Sequence, residues 1–503
     1  MAIVKVLGTE TEFGITVRRQ PDFNPVLSSS QVVNAYRGGR ARIQWSFEEE
    51  SPGRDARGLG YEAGVGADLD TGLVNVVLTN GARLYVDHAH PEYSTPECID
   101  PLQAALYDKA GETIMAMAVA AVQEGLVPPQ RILVHKNNSD GKGNSYGAHE
   151  NYLIARELPF GDLVRYFTTF LVTRQVFTGS GKVGAENGRP QVAFQLTQRA
   201  DFFEEEVGLE TTLKRPLINT RDEPHGDVAK YRRFHVIMGD ATMSELQTFL
   251  KLGSAALVLA AIEDGALPDS LTLADPVTAA WRTSHDITLQ SPLQMADGGT
   301  ATPLELQWQY FEWACKYAEA VDMGPAYDQV TAVWEEILND LEVDPHRAVD
   351  KLDWVAKKQV VEGYRERDSL AWDDPKLRMA ALQYHDVDPD RGIYNRLAAG
   401  GRMARLFSDE EIAVAVVQPP ADTRAYFRGR CVDKYGSALV AANWDSLVFD
   451  VGEEALKRVP MMEPLRGSRQ LVGALLDDSD DAPALMRALG GEDGGAGTQT
   501  DQA

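Results

Sequence analysis

Two hydrophobic periodicities divide the 503-residue chain. Short β-branched runs predict strands over residues 3–7, 73–79, 82–88, 131–135, 150–155, 191–196 and 233–238. Apolar positions at helical spacing predict helices over 101–124, 242–263, 304–321 and 326–341. Asn80-Gly81, between two strand runs, reads as a two-residue hairpin turn. Thr242-Met-Ser-Glu245 has the spacing of a capping box ahead of a Leu/Phe/Ala stripe. Strands interrupted by pairs of helices, without regular βαβ alternation, predict an α+β fold with an antiparallel sheet.

Three segments break the pattern. Residues 37–72 are polar, with six glycines from Gly53 to Gly72, and read as a long mobile loop of the kind that serves as a lid or is an insertion of no consequence. Pro419-Pro420 closes an apolar helix and opens a small appended unit. From Asp477 onward seven acidic residues face one basic residue, which reads as a disordered tail. The expected division is therefore 1–420, 421–476 and 477–503.

Composition narrows the function classes. The chain holds 75 acidic and 49 basic residues, a formal charge of −26, which argues against nucleic acid or an anionic membrane as a partner. Cys98, Cys315 and Cys431 are too scattered for a disulfide framework or a zinc ribbon and suit a reducing, cytoplasmic setting. The most apolar helical stretch, residues 254–262, is shorter than the roughly 20 residues of a membrane span.

Candidate chemistry lies where strands alternate polar residues. Glu10 and Glu12 are two apart, so a strand points both carboxylates to one face; Arg83, Tyr85 and Asp87 likewise share a face. Clustered carboxylates repel one another unless a cation joins them, and oxygen ligands favour Mg²⁺ or Mn²⁺. A salt-bridged sheet surface is the alternative. His88 and His90 have the spacing of a zinc pair, although Pro91 is better placed to turn the chain and aim Glu92 into the same pocket. Further candidates are His149 and Glu150, then Arg221 in a loop mixing guanidinium and carboxylate, then Arg233, His235 and Asp240 at a strand-to-helix junction. Gly179-Ser-Gly-Lys182-Val lacks the Ser or Thr that must follow the lysine of a P-loop.

Five stretches together resemble the Pup ligase/depupylase family, relatives of glutamine synthetase and the carboxylate–amine ligases. They are Gly8-Thr-Glu-Thr-Glu-Phe-Gly14, Arg83-Leu-Tyr-Val-Asp-His-Ala-His-Pro-Glu-Tyr93, Gly147-Ala-His-Glu-Asn-Tyr152, Asn219-Thr-Arg-Asp-Glu-Pro-His225 and Ala442-Asn-Trp-Asp-Ser446. The resemblance spans nearly the whole chain. It implies a glutamine-synthetase-like large domain, a curved, mainly antiparallel sheet cradle backed by helices, and a small C-terminal domain. Two traits point to the depupylase branch: the short Asp87-His-Ala-His-Pro-Glu92 run and the 37–72 insertion. That branch hydrolyses the isopeptide bond between the C-terminal glutamate of Pup and substrate lysines, and deamidates a C-terminal glutamine of Pup. A Pup–protein ligase and a small-molecule glutamate–amine ligase are the alternatives.

By the same resemblance Asp87 is the catalytic acid residue. Glu10, Tyr85 and Glu92 hold Mg²⁺, with His149 and His235 completing the metal site, and Glu150 and Asp240 placed in the same surroundings. Arg83, Thr95, Arg221 and Trp444 contact ATP. Pup and pupylated proteins are the implied partners. Residues 213–235 carry a local charge of +3, which would form a basic groove for an acidic partner.

Overall fold

The computed structural model describes residues 2–20, 22–38, 43–47, 50–51, 53–58, 74–267 and 271–490. A six-stranded antiparallel sheet organises it, in the order Tyr231–Val236, Ala148–Ala155, Leu7–Glu12, His90–Ser94, Arg83–Asp87, Asn75–Val77. Strand alternation gives the sheet two unlike faces. Leu7, Thr9 and Thr11 are buried while Gly8, Glu10 and Glu12 turn to the half-buried side.

Tyr152, Ile154, Phe234 and Val236 join the main core with helices Pro101–Gln123 and Glu245–Glu263. Glu245–Glu263 is long and apolar enough to cross a membrane, but its apolar stretch is wholly buried in the protein, which is why it is apolar on every side. Burying Phe249 or Leu257 completely contributes about 1.5–3 kcal/mol each.

Several local expectations change. The first strand starts at Leu7, breaks at Phe13 and resumes as Gly14–Val17 against Ile132–His135. Of 191–196 only Phe194–Gln195 is strand. The hairpin turn has three residues, Thr79 to Gly81: Leu78 N donates to Ala82 O (2.9 Å), Gly81 N donates to Leu78 O (3.0 Å), and Gly81 has φ +80°. A Cβ at Gly81 would lie 2.7 Å from Ala425 O, so the close approach of a second backbone also requires glycine. Helix Glu245–Glu263 is capped by Ser244, whose hydroxyl accepts from Gln247 N (3.2 Å); Thr242 pairs with Thr248 instead. Glu245 is drawn away to accept from Leu406 N and Phe407 N, so tertiary neighbours override the local capping signal.

A second, smaller core gathers Phe427, Cys431, Leu447 and Phe449 with Leu476, Ala482 and Leu485. The acidic stretch expected as a disordered tail from Asp477 instead follows directly on helix Arg469–Asp478 and is itself helical at Ala482–Gly490, because Ala482 and Leu485 pack down; residues 491–503 lie outside the described residues. The 37–72 segment is also tied down where it is described. Gln44–Trp45 adds in parallel to Leu439–Ala442, Ile43 and Trp45 enter the smaller core, and Ala56 N donates to Thr220 O (2.8 Å). The rest of that segment, including residues 59–73, lies outside the described residues.

Candidate active site

One face of the sheet carries Glu10, Arg83, Tyr85, Asp87, Glu92, His149 and His235, because register aligns them in rows; Thr95, Arg221 and Trp444 come from outside its strands. Glu10 lies between Ser94 and His149, and Glu12 faces Glu92, which in turn faces Tyr85. His235 pairs with Asn151.

Two clusters with metal-ligand character result: Glu10 with His149 and His235, and Glu12 with Asp87 and Glu92, the ligand atoms within each lying inside 4.8 Å. Glu12 is absent from the expected metal positions, yet its signal was its shared face with Glu10. Tyr85 stands beside Glu92, its hydroxyl 3.2 Å from Ser94 Oγ.

The first cluster is held by polar neighbours. His149 Nδ1 is 3.4 Å from Glu10 Oε2, and Asn151 Nδ2 donates to Glu10 Oε1 (2.9 Å). Arg233 Nη1 donates to Asn151 Oδ1 (2.6 Å) and lies 3.5 Å from Glu10 Oε1. Burial alone would raise the Glu10 carboxyl, but the His149 hydrogen bond and the charges of His235 and Arg233 hold it well below the usual carboxylate range. Burial pushes the His235 pKa well below its ordinary value, against the pull of the Glu10 carboxylate.

The second cluster lacks such compensation. Burial, then the charges of Asp87, Glu12 and Glu10, drive Glu92 well above a normal carboxylate, and its Oε2 is buried without a hydrogen-bond partner. An orphaned carboxylate oxygen among two other carboxylates fits a hard divalent cation. Asp87 is different: burial opposes its charge, but the His88 hydrogen bond, with His149 and Arg83 nearby, keeps it below its ordinary value. Its side chain is 43% exposed, open to an incoming ligand. Gly147 packs so closely that a Cβ would lie 2.6 Å from His149 Nε2 and 2.8 Å from Glu12 Oε1.

Beside the first cluster an open cleft is lined by Thr9, Glu10, Thr95, His225, Arg233 and Trp444, among others. Thr95 Oγ1 accepts from Thr9 N (2.9 Å). Arg221 approaches through its charge on His225, Arg233 and His235, and its buried Nε has no hydrogen-bond partner. Arg83 is sandwiched, its guanidinium carbon 3.9 Å from the Trp45 ring centroid and 3.8 Å from that of Tyr85. Trp45 in turn meets Trp444 edge-on at 5.3 Å.

Other expectations fail. Glu150 points to the opposite face, where Arg174 grips it through two hydrogen bonds of 2.6 and 2.9 Å. Asp240 ties Ser180 N and Gln198 N behind the site. His88 and His90 form no zinc pair: His88 turns back to Asp87 at 3.2 Å, while His90 stacks on Tyr146 at 4.3 Å. The basic stretch 213–235 is not a free groove either. Arg232 lies 3.8 Å from Asp222, Lys230 pairs with Asp227 and Glu463, Arg215 donates to Ser145 O, and Arg233 turns into the site.

A sheet face that collects carboxylates, histidines and guanidiniums beside a cleft has the groups with which an enzyme would hold an anionic ligand and a divalent cation. The family described as Pup-ligase protein matches residues 5–448, and the chain belongs to that family. It is 54% identical over 501 residues to the depupylase of Acidothermus cellulolyticus, covering 97% of this chain and 99% of that protein. Identity is 48% to the Pup deamidase/depupylase of Mycolicibacterium smegmatis, over 96% and 99% of the two chains. The Pup–protein ligase of Acidimicrobium ferrooxidans is 40% identical, over 80% of this chain and 89% of that one. Among solved structures, the complex of Pup with its ligase PafA superposes with TM-score 0.79 at 32% identity, covering 94% of this chain and 92% of that one. The complex of PafA with ADP gives 0.73 at 35% identity, covering 80% and 89%.

Proposed function

We propose that the protein is a depupylase and Pup deamidase: it hydrolyses the isopeptide bond between the C-terminal glutamate of Pup and substrate lysines, and converts a C-terminal glutamine of Pup to glutamate. The observation that carries this reading is Asp87, an anionic carboxylate open to solvent at the edge of a carboxylate cluster. Near-full-length identity of 48–54% to proteins named for these activities supports it, against 40% over a shorter span for a ligase.

A carboxylate held below its ordinary pKa is a poor base near neutrality, so Asp87 serves better as nucleophile. Attack of an Asp87 oxygen on the carbonyl carbon expels the lysine amine, or ammonia, which takes up a proton from solvent, and leaves an anhydride; water then adds to the Pup carbonyl, gives up its protons to solvent and restores the Asp87 carboxylate. Mg²⁺ at Glu12 and Glu92, and at Glu10, His149 and His235, would neutralise ligand charge and polarise oxygens, with Tyr85 beside the first of these sets. ATP binding is assigned to Thr95, Arg233 and Trp444, which line the cleft, with Arg83 and Arg221 next to them, and the ADP held by PafA supports a nucleotide there. Amide hydrolysis is downhill, so the nucleotide acts as a structural and electrostatic cofactor and is not consumed with each bond.

The reading carries with it a glutamine-synthetase-like large domain over residues 1–420 and a small C-terminal domain whose Trp444 closes the nucleotide cleft. It also carries a cytoplasmic location. The test is a Pup–protein conjugate incubated with ATP, with and without Mg²⁺. Free Pup and intact target are expected only with the metal; an unchanged conjugate in both would overturn the proposal. Conjugate formation from Pup ending in glutamate, with stoichiometric ADP, would establish the ligase instead.

A further inference from the structure

Glu97 lies just past the strand His90–Ser94 and lines the same cleft, but it touches neither carboxylate cluster. Its backbone is fixed to the first strand through its neighbour: Cys98 N donates to Leu7 O (2.9 Å) and Leu7 N donates to Cys98 O (2.8 Å). Its carboxylate accepts from Arg424 Nε (2.7 Å), from Arg428 Nη1 (3.3 Å) and from Arg428 Nη2. Both arginine side chains are almost wholly buried, at 3% and 0% exposure.

What the two guanidiniums do with their remaining hydrogens links the walls of the cleft. Arg428 donates to Gly81 O (2.8 and 2.9 Å) at the hairpin tip and to Trp444 O (3.1 Å), and lies 4.9 Å from the Trp444 ring centroid. Arg424 Nη1 donates to His225 O (2.6 Å) and Met461 O (2.8 Å). Trp444 and His225 both line the cleft. One carboxylate therefore orients the two arginines that fix the carbonyls of Trp444 and His225, both of which line the cleft.

We propose that Glu97 is a positioning residue for the nucleotide: through Arg428 it sets Trp444, and through Arg424 it sets His225, so that the cleft fits its ligand. This rests on the nucleotide reading given above. A planar guanidinium locked by a carboxylate has a fixed fork of donors, whereas one facing a neutral amide is freer to turn. The effect falls on nucleotide affinity, since Glu97 is outside the Asp87 cluster.

The test measures ADP binding by calorimetry with Mg²⁺ on the full chain, together with KM for ATP and kcat of conjugate cleavage. Glu97→Gln is expected to weaken ADP roughly tenfold or more and to raise KM in parallel, with kcat at saturating nucleotide within about threefold. Arg428→Lys keeps a charge for Glu97 but cannot serve Gly81 O and Trp444 O together; it is expected to weaken ADP in the same direction, and it decides the matter should Glu97→Gln not fold. A purely architectural role would lower Tm while leaving the ADP Kd of the folded protein unchanged. Wild-type binding of ADP with both variants inside twofold of it would overturn the positioning role alone. No ADP binding by the wild type would overturn the nucleotide reading on which it stands.

Discussion

Glu92 and Glu97 are the same residue type, five positions apart, both largely buried, and their surroundings drive them in opposite directions. Around Glu92 the chain gathers Asp87, Glu12 and Glu10, so burial and like charges raise its pKa. Around Glu97 burial is outweighed by Arg428 and Arg424, which bring its carboxyl down from 4.5 to about 2. The chain supplies its own counter-charge at Glu97 and leaves Glu92 uncompensated. The first arrangement is complete within the chain and orients neighbouring side chains, whereas the second offers carboxylate oxygens that a cation from solution could join.

The sharpest way to break this contrast is at the residue that shares the Glu92 cluster. Asp87→Asn removes the proposed nucleophile and should cut conjugate cleavage about a thousandfold or more while ADP binding stays intact, as read by gel-resolved Pup release and calorimetry. Next, Arg428→Ala strands part of the Glu97 charge and should cost about 3–5 kcal/mol in denaturant unfolding, whereas a compensated surface pair would cost far less.

Acid titration separates the two glutamates by sign. Because the folded pKa of Glu97 is depressed, its stabilisation is full above the unfolded value near 4.5 and is lost as pH falls toward about 2. The folded pKa of Glu92 is raised, so its contribution in metal-free protein is present below the unfolded value and lost as pH rises through the folded one. The Tm of the wild type minus that of each Gln variant, followed against pH in EDTA, should slope in opposite directions. At neutral pH Glu92→Gln should raise the metal-free Tm by about 1–2 °C and abolish the stabilisation by added Mg²⁺. Smallest of all, Trp45→Ala removes one face of the Arg83 sandwich and should raise KM for ATP only a few-fold, an effect on the order of 0.5–1 kcal/mol.

Particular residues show where reading the sequence succeeds. Glu10 with Glu12, and Arg83 with Tyr85 and Asp87, were paired correctly on faces because the direction of a side chain along a strand is local. The same rule, had it been applied to His149 and Glu150, separates them: both were expected in the site, but neighbours on a strand cannot share a face, and only His149 reaches it. The basic run at 213–235 misled because net charge along a sequence ignores partners such as Asp222 and Glu463, brought in by folding. Trp45 carried no local signal, since its role comes from a parallel pairing with residues nearly 400 positions away.

The sequence by itself determined the alternation of the strands, the helical stripes, the family and the identity of the charged residues, all of which depend on neighbours within a few positions. Only the tertiary structure decided that Glu10 joins His149 and His235 while Glu12 joins Asp87 and Glu92, and that Glu97 serves the arginines of the smaller core. Strand order and register, such as Glu10 opposite His149, arise from pairing across more than a hundred residues, and no local periodicity encodes them.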